Sequence, residues 1–361
     1  MANLPYWLIG ILAGLASSVL YAGASAGASP ALILAYLAPL PIFIAGLGWG
    51  TLTALIAGSV GLVVMALLSG ISGGIVFFSV AALAPIWLVR LALMSRTAGG
   101  RGASAAARAA RAREAHHQAV ADGRRDGPPE DEPAPQVEWY PPGMLVVWTT
   151  AIAAALLVVS ILSMMAADGG IRSAIVQMIN TGIVDTGELR NMLDAQGMDI
   201  SAAEFLTMVA AFVPATAAGM WLIMTLANML IAQLIVSRSG LAARPTPDIL
   251  GMSYPQAFLI LFPVSLVLGF LPGELGFAGV SLAALLFVPY LLLGLVTIHA
   301  ISRGWQGRPA ILAVFYVALA LFGWLILLVG ILGLVEAWMG LRARYGAGSS
   351  GPPDAPTHID R

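Results

Sequence analysis

The sequence predicts an all-α fold: a polytopic transmembrane helical bundle with nine or ten spans and a disordered cytoplasmic loop. Three observations carry that expectation. Of 361 residues, 59% are hydrophobic and 10% are charged, against about 45–50% and roughly 25% in a soluble domain. The chain also divides into uncharged apolar runs of the ~20 residues that a helix needs to cross a hydrocarbon core about 30 Å thick. Finally, the charges gather between those runs. All seventeen basic residues are Arg, with no Lys and no Cys in the chain. The missing Lys excludes a Walker A phosphate loop and Schiff-base chemistry, and the missing Cys excludes disulfides, thiolate nucleophiles and zinc-thiolate sites.

Nine runs qualify: 6–28, 30–47, 51–68, 71–93, 144–166, 202–236, 254–270, 277–301 and 309–341. The first four follow one another closely, which implies two tight hairpins and a four-span N-terminal part over residues 1–94. Ala24-Ser25-Ala26 fits a signal-peptidase pattern. No basic residue precedes the apolar run, however, and eight more runs follow, so an uncleaved first helix is expected. Residues 95–142 form a cytoplasmic loop, an Ala/Arg half followed by a Pro/acid half, that cannot bury a core. Its Arg101, Arg108, Arg111 and Arg113 would meet anionic lipid, or they would act only as a topology determinant. His116 and His117 point about 100° apart on a helix and make a poor chelate.

The second membrane part covers 143–341 with five or six spans, and a disordered tail follows over 342–361. Within it, residues 167–204 read as an external helical segment, either a lid over a cavity or a surface connector. A short helix is expected near 186–196 with Leu189, Met192 and Leu193 inward, and Ser201 with Glu204 has the spacing of a capping box. Twelve Arg fall on the side of the long loop and two on the other, so the N-terminus is expected in the cytoplasm of a bacterial inner membrane. Arg342 and Arg344 break that count if 309–341 crosses once. Two short helices folding back near Phe322-Gly323-Trp324 would restore it and give ten crossings.

Charges inside the spans are almost absent, with Glu204, Arg90 and Glu336 near expected ends. The deepest polar side chains are Asn228 and Gln233, and Pro39, Pro41, Pro85, Pro214, Pro263 and Pro289 free helical carbonyls. Pro39, Pro41, Asn228 and Gln233 are therefore the candidate cavity-lining residues, although bridging between helices would serve them equally. Gly70-Ile71-Ser72-Gly73 matches the serine motif of rhomboid intramembrane proteases, but the only later span His, His299, is expected at the opposite membrane face. No catalytic residue, metal site, cofactor or nucleic-acid partner is assigned, and an enzyme is not expected.

The stretch Leu37-Ala38-Pro39-Leu40-Pro41-Ile42-Phe43-Ile44-Ala45-Gly46-Leu47-Gly48-Trp49-Gly50 resembles the second-span signature of the YybS-like family of uncharacterised bacterial multi-spanning proteins. The ending Leu332-Gly333-Leu334-Val335-Glu336-Ala337-Trp338, followed by Arg342, is similar to that family's terminal pattern. That family is distantly similar to the substrate-binding subunits of energy-coupling-factor transporters. The resemblance implies a protein that binds or helps move a small molecule without its own ATPase. It also implies a separate membrane coupling subunit, with Gly10, Gly14 and Ser18 facing that partner. A non-transporting scaffold for envelope components is the alternative.

Overall fold

The structure, a computed structural model, describes residues 4–23, 34–97, 137–166, 186–210 and 212–342 and a few positions between 170 and 177. Arg101, Arg108, Arg111, Arg113, His116 and His117 lie outside the described residues, as does the tail from residue 343. The first helices are α1 (Tyr6–Gly23), α2 (Pro39–Trp49), α3 (Thr51–Phe77) and, after a π-helical turn at Phe78–Ala82, α4 (Leu83–Ala92). Next come α5 (Pro142–Met165), α6 (Thr186–Ala195), α7 (Ala202–Ala210) and α8 (Val213–Arg238). The last four are α9 (Gln256–Gly269), α10 (Gly273–Ile301), α11 (Arg308–Leu321) and α12 (Leu325–Met339). Five helices among the described residues are long and apolar enough to cross a membrane, or six when the bent pair α11 and α12 counts as one.

Fewer helices qualify than the nine or ten spans expected, for identifiable reasons. Thr51–Ala92 counts once as 42 residues, yet the backbone at Gly70 has φ 78° and ψ 171°, a region essentially reserved for Gly. The chain folds back there. Gly74 abuts the Leu62 carbonyl and Ala66, Gly61 abuts the Phe77 ring, and Gly58 meets Ala82 and Ile86. The expected runs 51–68 and 71–93 are thus two arms of one hairpin. Leu34–Trp49 and Gln256–Gly269 are shorter apolar helices; the 14 residues of α9 rise only about 21 Å. The run 202–236 is not continuous. It divides into α7 and α8, with Pro214 in the first turn of α8, where a missing N–H costs nothing.

Pro85 explains the π-helical turn. It has no N–H for the Ala81 carbonyl and its ring crowds that carbonyl; the turn Phe78–Ala82 absorbs the conflict. The Trp221 indole N–H of α8 then donates to the loosened Val80 carbonyl at 2.8 Å. Around this point lies the largest core cluster, in which Ile42, Phe43, Phe77, Leu88 and Val89 are fully enclosed. A second cluster joins α5, α8 and α10, and a third gathers Tyr254, Phe258 and Tyr290 around α9 and α10. Outside these clusters, large apolar side chains are uncovered by protein, such as Leu67 at 81% and Val267 at 67% exposure. A lipid-facing surface requires such residues, whereas a soluble protein would expose few.

The long loop leaves and re-enters through a two-stranded antiparallel ribbon, Ser95–Thr97 (β1) with Val137–Trp139 (β2), closed by an Arg96–Glu138 ion pair of 2.7 Å. The ends of the segment read as disordered are therefore ordered. At the other end of the chain, α11 and α12 meet at 119° across Phe322-Gly323-Trp324, where the fold-back was expected. Gly294 and Gly333 let the backbones of α10 and α12 touch, with Gly330 against the Phe287 ring. Glu336, expected near a span end, is buried and accepts 2.7 Å and 3.0 Å hydrogen bonds from the Arg342 Nε and backbone N–H. The Arg342 guanidinium also donates to the Leu250 and Met252 carbonyls, both at 2.6 Å.

Candidate functional site

Pro39 and Pro41 begin α2, where the chain has just turned at Ala38. Carbonyls beside this break accept hydrogen bonds from neighbouring helices. The Asn228 amide of α8 donates to the Tyr36 carbonyl at 2.7 Å and to Met224 O at 2.7 Å. Ser17 of α1 donates to the Ala38 carbonyl at 2.6 Å. Asn228 thus serves as a bridge between helices. Gln233, one and a half turns further along α8, sits apart from this junction and lines a cavity.

Gly10, Gly14 and Ser18 are turned into the chain itself. A side chain at Gly10 would meet Ile56 and the Thr53 carbonyl, and one at Gly14 would meet the Ala57 carbonyl and Val60. Ser18 is buried and returns its hydroxyl to the Gly14 carbonyl at 2.8 Å. Small residues permit this close approach. That face of α1 is consumed by the first arm of α3 and is not open to a separate subunit, contrary to the reading taken from the family resemblance.

The cavity has a volume of about 590 Å³, within the roughly 300–1,000 Å³ of small-molecule pockets. Its walls are the C-terminal halves of α8 and α10, through Leu226, Leu230, Leu292 and Val296, together with the start of α5 at Pro142 and Leu145. The connection between α8 and α9 closes it with Arg244, Pro247, Leu250 and Met252. Polar groups are few: Gln233, Arg244, His299 and Tyr316. The Gln233 amide donates to Ser237 Oγ at 3.1 Å. His299 Nδ1 is 2.9 Å from the Leu295 carbonyl and Nε2 is 3.4 Å from the Tyr316 hydroxyl, so its ring is engaged within α10 and α11 and not with Ser72.

Arg244 is the unusual member. It is 4% exposed, donates from Nη1 to the Ala92 carbonyl at 2.9 Å and lies 6.0 Å from the Trp139 ring centroid. Its Nε is buried without a partner among the described residues, and burial pushes the guanidinium below its usual range. In the sequence Arg244 counts only towards the positive side of the membrane. The prolines at 245 and 247, which stiffen the connection, were the one signal that this Arg is held in place.

In the external segment, α6 turns Leu193 inward and half-buries Leu189, but Met192, expected inward, is 63% exposed. The capping box is formed: the Ser201 N–H and hydroxyl reach Glu204 Oε2 at 2.9 and 2.8 Å, and the Glu204 N–H returns to Ser201 Oγ at 3.2 Å. These bonds hold the Glu204 carboxyl below its ordinary range. No described residue of this segment lines the cavity.

Residues 138–336, more than half of the chain, match the model of a family described as a predicted membrane protein, DUF2232. Every residue lining the cavity falls inside that match. No curated protein and no solved structure matches the chain.

Proposed function

The chain belongs to the DUF2232 family of predicted membrane proteins, and on that premise we propose that it is a multi-pass inner-membrane protein that binds or helps move a small, largely apolar molecule. The observation that carries this reading is the 590 Å³ cavity, walled by aliphatic side chains with four polar groups. A few placed polar groups in an apolar concavity fix the orientation of a ligand. The chain has no Lys for a Walker A loop, so if ATP drives transport its hydrolysis belongs to another protein, the arrangement that the family resemblance implies. A coupling subunit would dock elsewhere than on Gly10, Gly14 and Ser18, which pack on α3.

The contact of Arg342 with Leu250 and Met252 favours a C-terminal pair that enters and returns on the side of Arg244. With the hairpin at Gly70, that supports ten passages with the N-terminus in the cytoplasm. One feature favours the scaffold reading instead: α11 buries none of its side chains and offers Val314, Val317 and Leu321 to the surroundings.

The two readings separate on the full chain in nanodiscs. Small molecules retained by the protein are extracted and weighed by mass spectrometry, beside Ala227→Trp, which fills the cavity. Binding predicts a molecule retained at about one per chain and lost from the variant. An equal, non-stoichiometric lipid background in both proteins, with envelope proteins co-purifying, would leave the scaffold reading.

A further inference from the structure

We infer that the cavity takes an anionic amphiphile, with a carboxylate or phosphate head on Arg244 and an aliphatic chain between α8 and α10. The inference rests on the small-molecule reading and names its ligand class. A guanidinium taken out of water is costly unless an anion meets it, and Arg244 is 4% exposed. Its position is occupied on one side only. Nη1 satisfies the Ala92 carbonyl, the Trp139 ring lies over the guanidinium, and Nε is left buried without a partner among the described residues.

The acid beside Trp139 and the acid four residues beyond Arg244 are otherwise engaged. Glu138 pairs with Arg96 at 2.7 Å, and Asp248 is exposed and accepts the Leu250 N–H at 3.1 Å. Neither ion pair found among the described residues includes Arg244. A second cation stands near the far wall: Arg308 reaches the carbonyl of cavity-lining His299 at 3.5 Å, and its Nε is likewise buried and unpartnered among the described residues. No acidic side chain lines the cavity, whereas Leu226, Leu230, Leu292, Leu295 and Val296 do. A guanidinium in the lining and aliphatic walls beside it match a head and a chain. A neutral apolar molecule would leave the guanidinium unmet, and a compact polar anion would leave the walls in contact with water.

The test uses the full chain, stripped of lipid in detergent, and native mass spectrometry with two pairs of probes. Oleate and oleyl alcohol share a chain and differ in head charge; dioleoyl phosphatidylglycerol and dioleoyl phosphatidylcholine make the same comparison for a bilayer lipid. The expected result is one bound anion per chain, preferred over its uncharged or zwitterionic mate by about tenfold or more, the scale of a charge-assisted hydrogen bond. Arg244→Gln should erase that preference, and Arg244→Lys should restore part of it. Oleate alone binding identifies a free single-chain acid, and phosphatidylglycerol alone identifies a headgroup recruited from the bilayer; both support the inference.

Equal binding of oleate and oleyl alcohol, abolished by Ala227→Trp, would overturn the anionic head while leaving the cavity reading intact. Binding of either probe that survives Ala227→Trp would overturn the cavity reading itself. Because Arg244 also ties down the Ala92 carbonyl, Arg308→Gln serves as the second variant. It should lower the same preference without touching that contact.

Discussion

At the scale of single residues, the structure concentrates its strictest demands on a few glycines and one ion pair. A side chain at Gly333 would run into the Tyr290 carbonyl, and overpacking of this kind costs about 1–3 kcal/mol. Gly333→Leu should therefore lower the melting temperature in detergent clearly more than Gly323→Leu, where nothing lies within 4 Å. Glu336 and Arg342 are 4% and 15% exposed at the side chain. Removing one partner of a buried pair costs about 3–5 kcal/mol, so Arg342→Gln should destabilise the chain severely, and Glu336→Gln added to it should recover part of the loss. The Ser201–Glu204 box titrates. Its carboxyl is held below its ordinary value by hydrogen bonds, so the cap is fully present above the unfolded pKa of about 4.3 and is lost as pH falls through the lower folded value. Hydrogen exchange of the α7 amides should accelerate across that acid window in the native chain and show no such transition in Glu204→Gln.

At the scale of elements, sequence reading found helices well and their partners poorly. Apolar runs, Pro positions and the Ser201/Glu204 spacing located most helices and the break at Phe322-Gly323-Trp324. Those signals are local, whereas the exposure of Met192, the separation of α7 from α8 and the ribbon β1–β2 depend on what lies alongside in space. The same limit applies to Gly10, Gly14 and Ser18: their spacing marks a close helix contact, but only the fold shows that the contact is with α3. Gly70 is the element-scale test. Its φ of 78° with ψ of 171° suits no side chain, so Gly70→Ala should cost about 1–3 kcal/mol, read as a lower melting temperature. Ser72→Ala at the same hairpin should leave stability nearly unchanged.

At the scale of the whole molecule, the low charge content oriented the chain in the sequence but hid the one Arg that matters most to the cavity. Arg244 looks like any positive residue of a loop until Ala92, Trp139 and the end of α8 are brought around it. Gln233 alone of the four polar or Pro candidates reaches the cavity; Pro39, Pro41 and Asn228 are joined at a helix break that the neighbouring helices satisfy. The absence of native Cys makes topology directly accessible. Single Cys at Ser239 and Leu341 should label from one side of the membrane and Cys at Leu271 from the other. Leu341 labelling together with Leu271 would restore nine crossings. The binding claim itself is tested most directly by an experimental density map of the full chain in nanodiscs containing phosphatidylglycerol. An elongated density between Leu226 and Leu292, ending in a head within hydrogen-bond distance of the Arg244 guanidinium, is the predicted result. A collapsed cavity, or an acid of residues 122–136 seated on Arg244 in place of a ligand, would contradict it.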